Sequence, residues 1–347
     1  MKIVSVVGTR PNFMKLAPLA RALKNTKHTH VILHTGQHYD KSMSGSFFSG
    51  LDILEPDYNL DTGSGCLTDR LADMIVLIMD VLCSELPDLV LVYGDCNSTL
   101  AGALAAVQNK FPVMHIEGGI RNNSLLVPET LNRLIVDRIS CLNLCACQHD
   151  LDNILRDNMN GVLVGDLMKD QFLLDDTGWS ESGYALLTLH RPSNVDNEHR
   201  FKRILSEIGK SGKRILWPTH PRVSSKYGNL PLPENIDVIL PQPYNDMMSL
   251  VKGSDIVITD SGGLQKEAYW AHKPCIVILD DATWPQIRET DNQSFIDDSN
   301  IQYLPELINN FKGSNNHPNI FGDGNAAARI VEVIDNYDLS TAFNYKT

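Results

Sequence analysis

A chain of 347 residues has room for two domains of ordinary size, each with its own core. Its 23 Gly and 17 Pro are an ordinary share and 21% of its residues are charged, which excludes the collagen-like, low-complexity and disordered classes. A formal net charge of −12 excludes a general basic footprint for nucleic acid or anionic lipid, so an anionic ligand would need a local basic pocket.

The chain opens on Ile3–Val7, a short apolar run that reaches Arg10 and Pro11 too early for the hydrophobic stretch of a secretion signal. A cytoplasmic protein is expected. Further β-branched runs at Val31–Leu33, Leu89–Tyr93, Val113–Ile116 and Leu142–Cys147 alternate with helical spacing over Ala17–Leu23, Leu67–Leu86, Thr99–Val107 and Leu131–Ile139. This βαβ alternation predicts a doubly wound parallel sheet with helices on both faces. The longest apolar stretch, Met74–Met79, lies between Asp73 and Asp80 and falls far short of the roughly 20 residues of a membrane-spanning helix.

The pattern weakens over Asp166–Ser182, which collects Asp, Gly and Ser. It restarts with runs at Tyr184–Leu189, Ile215–Trp217, Asp237–Leu240, Ile256–Thr259 and Cys275–Leu279. Two Rossmann-like α/β domains are expected, residues 1–168 and 169–347, with the site in a cleft lined by loops at the carboxyl ends of their strands.

Seven cysteines form no CxxC pair, and Cys141, Cys145 and Cys147 with His149 are the cluster that invites a metal reading. Strand alternation puts Cys145 and Cys147 on one face, where free thiols pack as small hydrophobes. No metal is assigned.

The first strand ends in Gly8-Thr9-Arg10-Pro11, and Lys15 falls in the first turns of the helix that follows. A glycine turn, a guanidinium and a helix N-terminus suit a phosphate, although Arg10 in a surface ion pair is the plainer alternative. Neither GxGxxG nor GxxxxGK[ST] occurs, so no nicotinamide or ATP site, and no cofactor, is expected. In the second half Thr259-Asp260-Ser261-Gly262-Gly263-Leu264-Gln265-Lys266-Glu267 follows a buried strand and opens a helix. Ser261 suits the N-cap, the N–H groups of Ser261, Gly262 and Gly263 suit a diphosphate, and Glu267 suits a ribose unless it is an ordinary exposed helix glutamate.

Three acids stand at strand ends or helix starts: Asp95, Glu117, and Glu129 one turn before Arg133. They are candidates for acid and base work, against helix-capping roles for Asp95 and Glu129. His190 and His220 each end a strand beside an Arg, a pairing that suits a leaving diphosphate.

Taken in order, GTRPNFMKLAP (8–18), TGQHYD (35–40), Gly94-Asp95, EGGIR (117–121), Pro128-Glu129 with Asn132-Arg133, HRPSN (190–194), TDSGGLQKE (259–267) and GDGN (322–325) resemble the bacterial non-hydrolysing UDP-N-acetylglucosamine 2-epimerases over nearly the whole chain. The resemblance implies a GT-B-type fold of two Rossmann-like domains, a C-terminal helix crossing back to the first, and a homodimer. It also implies interconversion of UDP-GlcNAc and UDP-ManNAc, or of a related UDP-2-acetamido sugar, without NAD: UDP is eliminated across C1–C2 to a glycal and added back after protonation on the other face. By motif, Asp95, Glu117, Glu129, Arg133 and His190 are the catalytic candidates. Arg10, Lys15, His220, Ser261, Gly262, Gly263 and Glu267 are the substrate-binding candidates, and Gln37 and His38 match an activator site found in some members.

The chain departs from the family at EGGIR, where EAGLR is common, in lacking a second Glu after Glu129, and at Ala282-Thr283-Trp284-Pro285, where Thr-Glu-Arg-Pro is common. The last change points to an altered sugar, such as a diacetamido uronic acid, or altered regulation. Competing readings are a hydrolysing epimerase that releases UDP, a retaining GT-B glycosyltransferase, and an inactive nucleotide-sugar sensor.

Overall fold

The computed structural model describes residues 1–36, 55–60, 62, 66–121, 125–174, 181–219, 221–228, 230–279 and 284–343. The chain divides into two compact units, Met1–Leu174 with Phe321–Thr347, and Asp175–Ile320.

The first unit carries β1 (Lys2–Val7), β2 (Thr29–His34), β3 (Tyr58–Asn59), β4 (Leu89–Tyr93), β5 (Val113–Ile116), β6 (Leu142–Cys145) and β7 (Gly161–Leu163). They form one parallel sheet in the order β3-β2-β1-β4-β5-β6-β7. Its helices are α1 (Arg10–Lys24), α2 (Leu67–Glu85), α3 (Asn97–Gln108), α4 (Pro128–Ile139), α5 (Gln148–Arg156) and α6 (Leu167–Leu174). Every residue of β4 and β5 is buried, as expected of central parallel strands covered on both faces. Val4, Val6, Val90 and Val92 pack with Met74, Ile78 and Leu82 of α2 and with Leu100 and Ala103 of α3. β6 is shorter than the predicted run because the chain turns out at 146–147, and Cys147 stands before α5.

The second unit has β8 (Ala185–Thr188), β9 (Ile215–Pro218), β10 (Ile236–Ile239), β11 (Ile256–Thr259), β12 (Cys275–Ile278) and β13 (Gln293–Ile296). All are parallel, in the order β10-β9-β8-β11-β12-β13. Its helices are α7 (Pro192–Val195), α8 (Glu198–Lys210), α9 (Pro221–Tyr227), α10 (Tyr244–Gly253), α11 (Gly262–Trp270), α12 (Pro285–Arg288) and α13 (Leu304–Asn310). Its core joins Leu187, Ile258 and Ile276 of the sheet to Phe201, Ile204 and Ile208 of α8.

The last helix, α14 (Ala326–Asn336), belongs to the first unit and packs against α1 and α6. The boundary falls after Leu174 rather than after residue 168, because α6 packs on α1 and cannot be cut from it. Asp170 of α6 accepts the Ala326 and Ala327 N–H groups at 3.0 and 2.7 Å, and Lys169 donates to the Gly322 carbonyl at 2.6 Å. Among the described residues no helix is long and apolar enough to cross a membrane.

Candidate functional site

Each sheet reverses its strand order once, between β1 and β4 in the first unit and between β8 and β11 in the second. Loops at the carboxyl ends of such strands are where open α/β sheets bind ligands. The candidate residues fall at both places.

In the first unit the turn after β1 is knotted by Asn12. Its Oδ1 accepts from the N–H groups of Gly8 and Thr9, both at 3.1 Å, and its Nδ2 donates to the Tyr93 carbonyl at the end of β4, at 2.9 Å. Lys15, buried one turn further along α1, forms an ion pair with Glu117, also buried, at the end of β5. Gly94 leaves the space for that pair: a Cβ there would lie 3.3 Å from Lys15 Nζ and 3.4 Å from Glu117 Oε2, and its φ of +68° suits glycine. Glu117 itself takes a φ of +67°, a conformation that costs energy in a side-chain-bearing residue and marks strain at the site.

Helix α4 supplies the other side of this cluster. Arg133 Nη2 is 2.8 Å from Asp95 Oδ2 and 3.7 Å from Glu117 Oε2, and Asn132 donates to the Asp95 carbonyl at 2.9 Å. Burial works against the charge on Arg133, but Asp95, Glu117, Asp137 and Asp150 outweigh it and raise its pKa. Glu129, Asn132 and Arg133 follow at helical spacing and share a face. Glu129 is exposed in the first turn and makes no hydrogen bond or ion pair among the described residues. The structure therefore brings together Lys15, Asp95, Glu117 and Arg133, two carboxylates and two cations, and leaves Glu129 one turn away on the helix that carries Arg133. Arg10 is exposed at the first position of α1.

In the second unit Asp260, at the end of β11, is the knot. Its carboxylate accepts the N–H of His190 at 3.1 Å, the N–H of Arg191 at 2.9 Å and the side chain of Asn194 at 3.1 Å. His190 Nδ1 lies 3.1 Å from Asp260 Oδ1, so Nδ1 carries a proton toward the carboxylate and the ring orientation is fixed. Burial would raise the pKa of Asp260, yet His190, Asn194 and the Arg191 N–H outweigh it and hold the carboxyl below the usual range.

Ser261 caps α11, its hydroxyl accepting from Leu264 N–H at 3.3 Å. The expected cradle needs one correction: the Ser261 N–H is already donated to Thr259 Oγ1 at 2.9 Å. That leaves the Gly262 and Gly263 N–H groups, with the Ser261 hydroxyl, facing a helix start that favours anions. A Cβ on Gly263 would meet nothing nearer than Ser261 Oγ at 3.9 Å, so the fold leaves room for a side chain there. Glu267 is buried, not an ordinary exposed helix glutamate. Trp284 closes the other side of α11, with Nε1 donating to the Gly262 carbonyl at 2.7 Å and Lys266 Nζ 4.5 Å from its ring centre.

His220, Gln37 and His38 lie outside the described residues, as does Thr283. Cys141, Cys145 and Cys147 are buried free thiols, and burial raises the pKa of Cys141 and Cys145. Sequence reasoning passed over Asn12 and Asp260 as individuals. Thr9-x-x-Asn12 at a helix start was a capping signal, and Asp260 stood inside a motif already singled out.

A family model described as UDP-N-acetylglucosamine 2-epimerase matches residues 21–335. The UDP-N-acetylglucosamine 2-epimerase of Methanocaldococcus jannaschii is 33% identical, over 96% of this chain and 99% of its own length. Its crystal structure in complex with UDP-GlcNAc and UDP matches with a TM-score of 0.86, covering 96% of this chain and 99% of that one. The UDP-2,3-diacetamido-2,3-dideoxy-D-glucuronate 2-epimerase of Pseudomonas aeruginosa is 35% identical, over 96% of this chain and 99% of its own.

Proposed function

Because the chain belongs to the UDP-N-acetylglucosamine 2-epimerase family, we propose that it interconverts UDP-GlcNAc and UDP-ManNAc without net hydrolysis, by eliminating and re-adding UDP. The C2 hydrogen of such a sugar has no carbonyl beside it, so simple abstraction is very unfavourable. Elimination solves this. A carboxylate, Asp95 or Glu117, takes the C2 proton while the C1–O bond to UDP breaks, leaving a C1–C2 double bond. A proton then reaches C2 on the opposite face and the UDP oxygen bonds C1 again. Protons and UDP balance, and no hydride acceptor is required.

The observation that carries this reading is that one guanidinium, Arg133, spans two carboxylates at the carboxyl ends of neighbouring strands. Proton removal and delivery on two faces need two acids held apart, and a neighbouring cation keeps both in a charge-balanced setting. Glu129 is the candidate for a third proton-transfer group. The Ser261 hydroxyl and the Gly262 and Gly263 N–H groups suit the diphosphate, His190 the departing charge, and Glu267 the ribose.

Proton NMR of the protein with UDP-GlcNAc in deuterium oxide tests the proposal, since one spectrum reads the epimer, deuterium at C2 and free UDP. UDP-ManNAc bearing deuterium at C2 is expected, with UDP staying attached to sugar. Accumulation of free UDP and ManNAc would establish the hydrolysing course instead.

A second sugar has support from one position. Trp284 stands where the family commonly has an Arg, is buried against α11, and the Pseudomonas aeruginosa relative acts on a diacetamido glucuronate. The same spectrum taken with that uronate decides which substrate turns over faster.

A further inference from the structure

Beneath the two acid-bearing turns of the first unit lies a buried ion network that the chemistry above does not use. His115 of β5 is fully buried, and its ring bridges two groups: Nδ1 is 2.7 Å from Asp137 Oδ1, and Nε2 is 2.7 Å from the Gly94 carbonyl oxygen. A carboxylate and a carbonyl both accept, so the ring makes the two hydrogen bonds at once only as the imidazolium. Its counter-ion is Asp137 of α4, also fully buried.

Asp137 turns its other oxygen to the second turn. Oδ2 accepts from Gly119 N–H at 3.2 Å and from Arg121 Nη1 at 2.6 Å. Gly94 immediately precedes Asp95, and Gly119 follows Glu117 by two residues; the Gly94 N–H also donates to the Ile116 carbonyl at 2.9 Å. One imidazolium–carboxylate pair thus fastens both turns to each other from below. Packing alone does not call for it, because a buried ion pair is in general no more stabilising than apolar side chains of the same volume. The neighbours of His115 in β5, namely Val113, Met114 and Ile116, are such side chains.

We propose that His115 and Asp137 are positioning residues, which set the separation and orientation of Asp95 and Glu117 without touching the substrate. This rests on the reading that Asp95 and Glu117 act on the sugar. Asp137 lies one turn after Arg133 on α4, so the helix that supplies the guanidinium between the acids also supplies the anchor beneath them. The clamp fixes the distance over which two proton transfers share one carbon, and a displacement of about 1 Å in such an arrangement lowers turnover roughly 10²-fold.

The test uses His115→Gln and His115→Asn, neutral side chains that each keep one of the two donors, with Asp137→Asn as a third variant that alters the partner. Each is expected to unfold cooperatively and to bind UDP as the parent does. Turnover should fall about 10²-fold with KM changed less than about threefold, and the C2-deuterium isotope effect on kcat should rise as proton transfer becomes slower than the other steps. In the ligand-free protein, amide exchange at Gly94 and Gly119 should quicken together in every variant. Turnover within about threefold of the parent would overturn the proposal, as would a fall with an unchanged isotope effect, which reports fewer folded molecules. Exchange that quickens at one turn only would overturn it too. The exchange measurement needs no substrate: a parent protein that turns over no UDP-2-acetamido sugar removes the functional reading, and the two amides still decide whether the clamp exists.

Discussion

Arg133 reaches Asp95 at 2.8 Å while remaining almost completely buried, so the charge on Asp95 is met from inside the protein. Lysine at this position keeps the charge but not the rigid guanidinium that places Nη2 2.8 Å from Asp95 and 3.7 Å from Glu117. Arg133→Lys is expected to lower kcat by about one to two orders of magnitude with UDP affinity unchanged. Arg133→Met, which leaves Asp95 without its cation, should destabilise the first unit by about 3 kcal/mol, read by thermal unfolding.

Asp95→Asn, Glu117→Gln and Glu129→Gln should each lower kcat by roughly two to four orders of magnitude while UDP binding persists. Stability separates them. Glu117→Gln leaves buried Lys15 without its anion and should lower the melting temperature, whereas Glu129 is exposed and its replacement should leave the melt unchanged. A Glu129→Gln enzyme with normal turnover would reduce that residue to a favourable charge at a helix start.

Gly263→Ala distinguishes a glycine kept for a ligand from one kept for the fold. The added Cβ meets nothing closer than 3.9 Å and replaces a helical glycine by the best helix former, so thermal stability should hold or rise by up to about 1 kcal/mol. UDP affinity, measured by calorimetry, should fall about tenfold, the scale of one charge-assisted hydrogen bond. Undiminished affinity would move the diphosphate away from α11.

The acid limb of the stability curve should report Asp260. Its pKa is lower in the folded protein than its ordinary value near 4, so between the two values the unfolded chain binds more protons. The stabilisation is fully present above about pH 4 and is lost as the pH falls through the folded value. Asp260→Asn should cost about 2–3 kcal/mol at neutral pH, and the gap to the parent should close below about pH 4 in urea titrations.

Leu89–Tyr93, Val113–Ile116 and Ile256–Thr259 were legible to the residue, because central parallel strands are apolar throughout and stop where polar loops begin. The strands that escaped, Tyr58–Asn59, Gly161–Leu163 and Gln293–Ile296, are all at sheet edges. An edge strand has one neighbour and less burial, so its composition carries little signal. At the site, Asp95, Glu117 and Arg133 stood out through their motifs. The pairing of Lys15 with Glu117 did not, because it joins positions 102 residues apart. His115 is one polar residue in an apolar strand, and only its two partners give it meaning.

The clasp of Asp170 on the start of α14 has a consequence for how the protein is made. The first unit consists of two stretches of chain separated by the whole of the second, and Ile330 and Ile334 of α14 are buried within it. At synthesis rates of about 5–20 residues per second, on the order of ten to thirty seconds pass between the emergence of α6 and that of α14. Through that interval the apolar surface that will receive α14 stands open on the nascent chain, while the second unit acquires every residue of its own sheet. The unit that begins synthesis first is the last to be completed, and the window for chaperone capture or aggregation belongs to it.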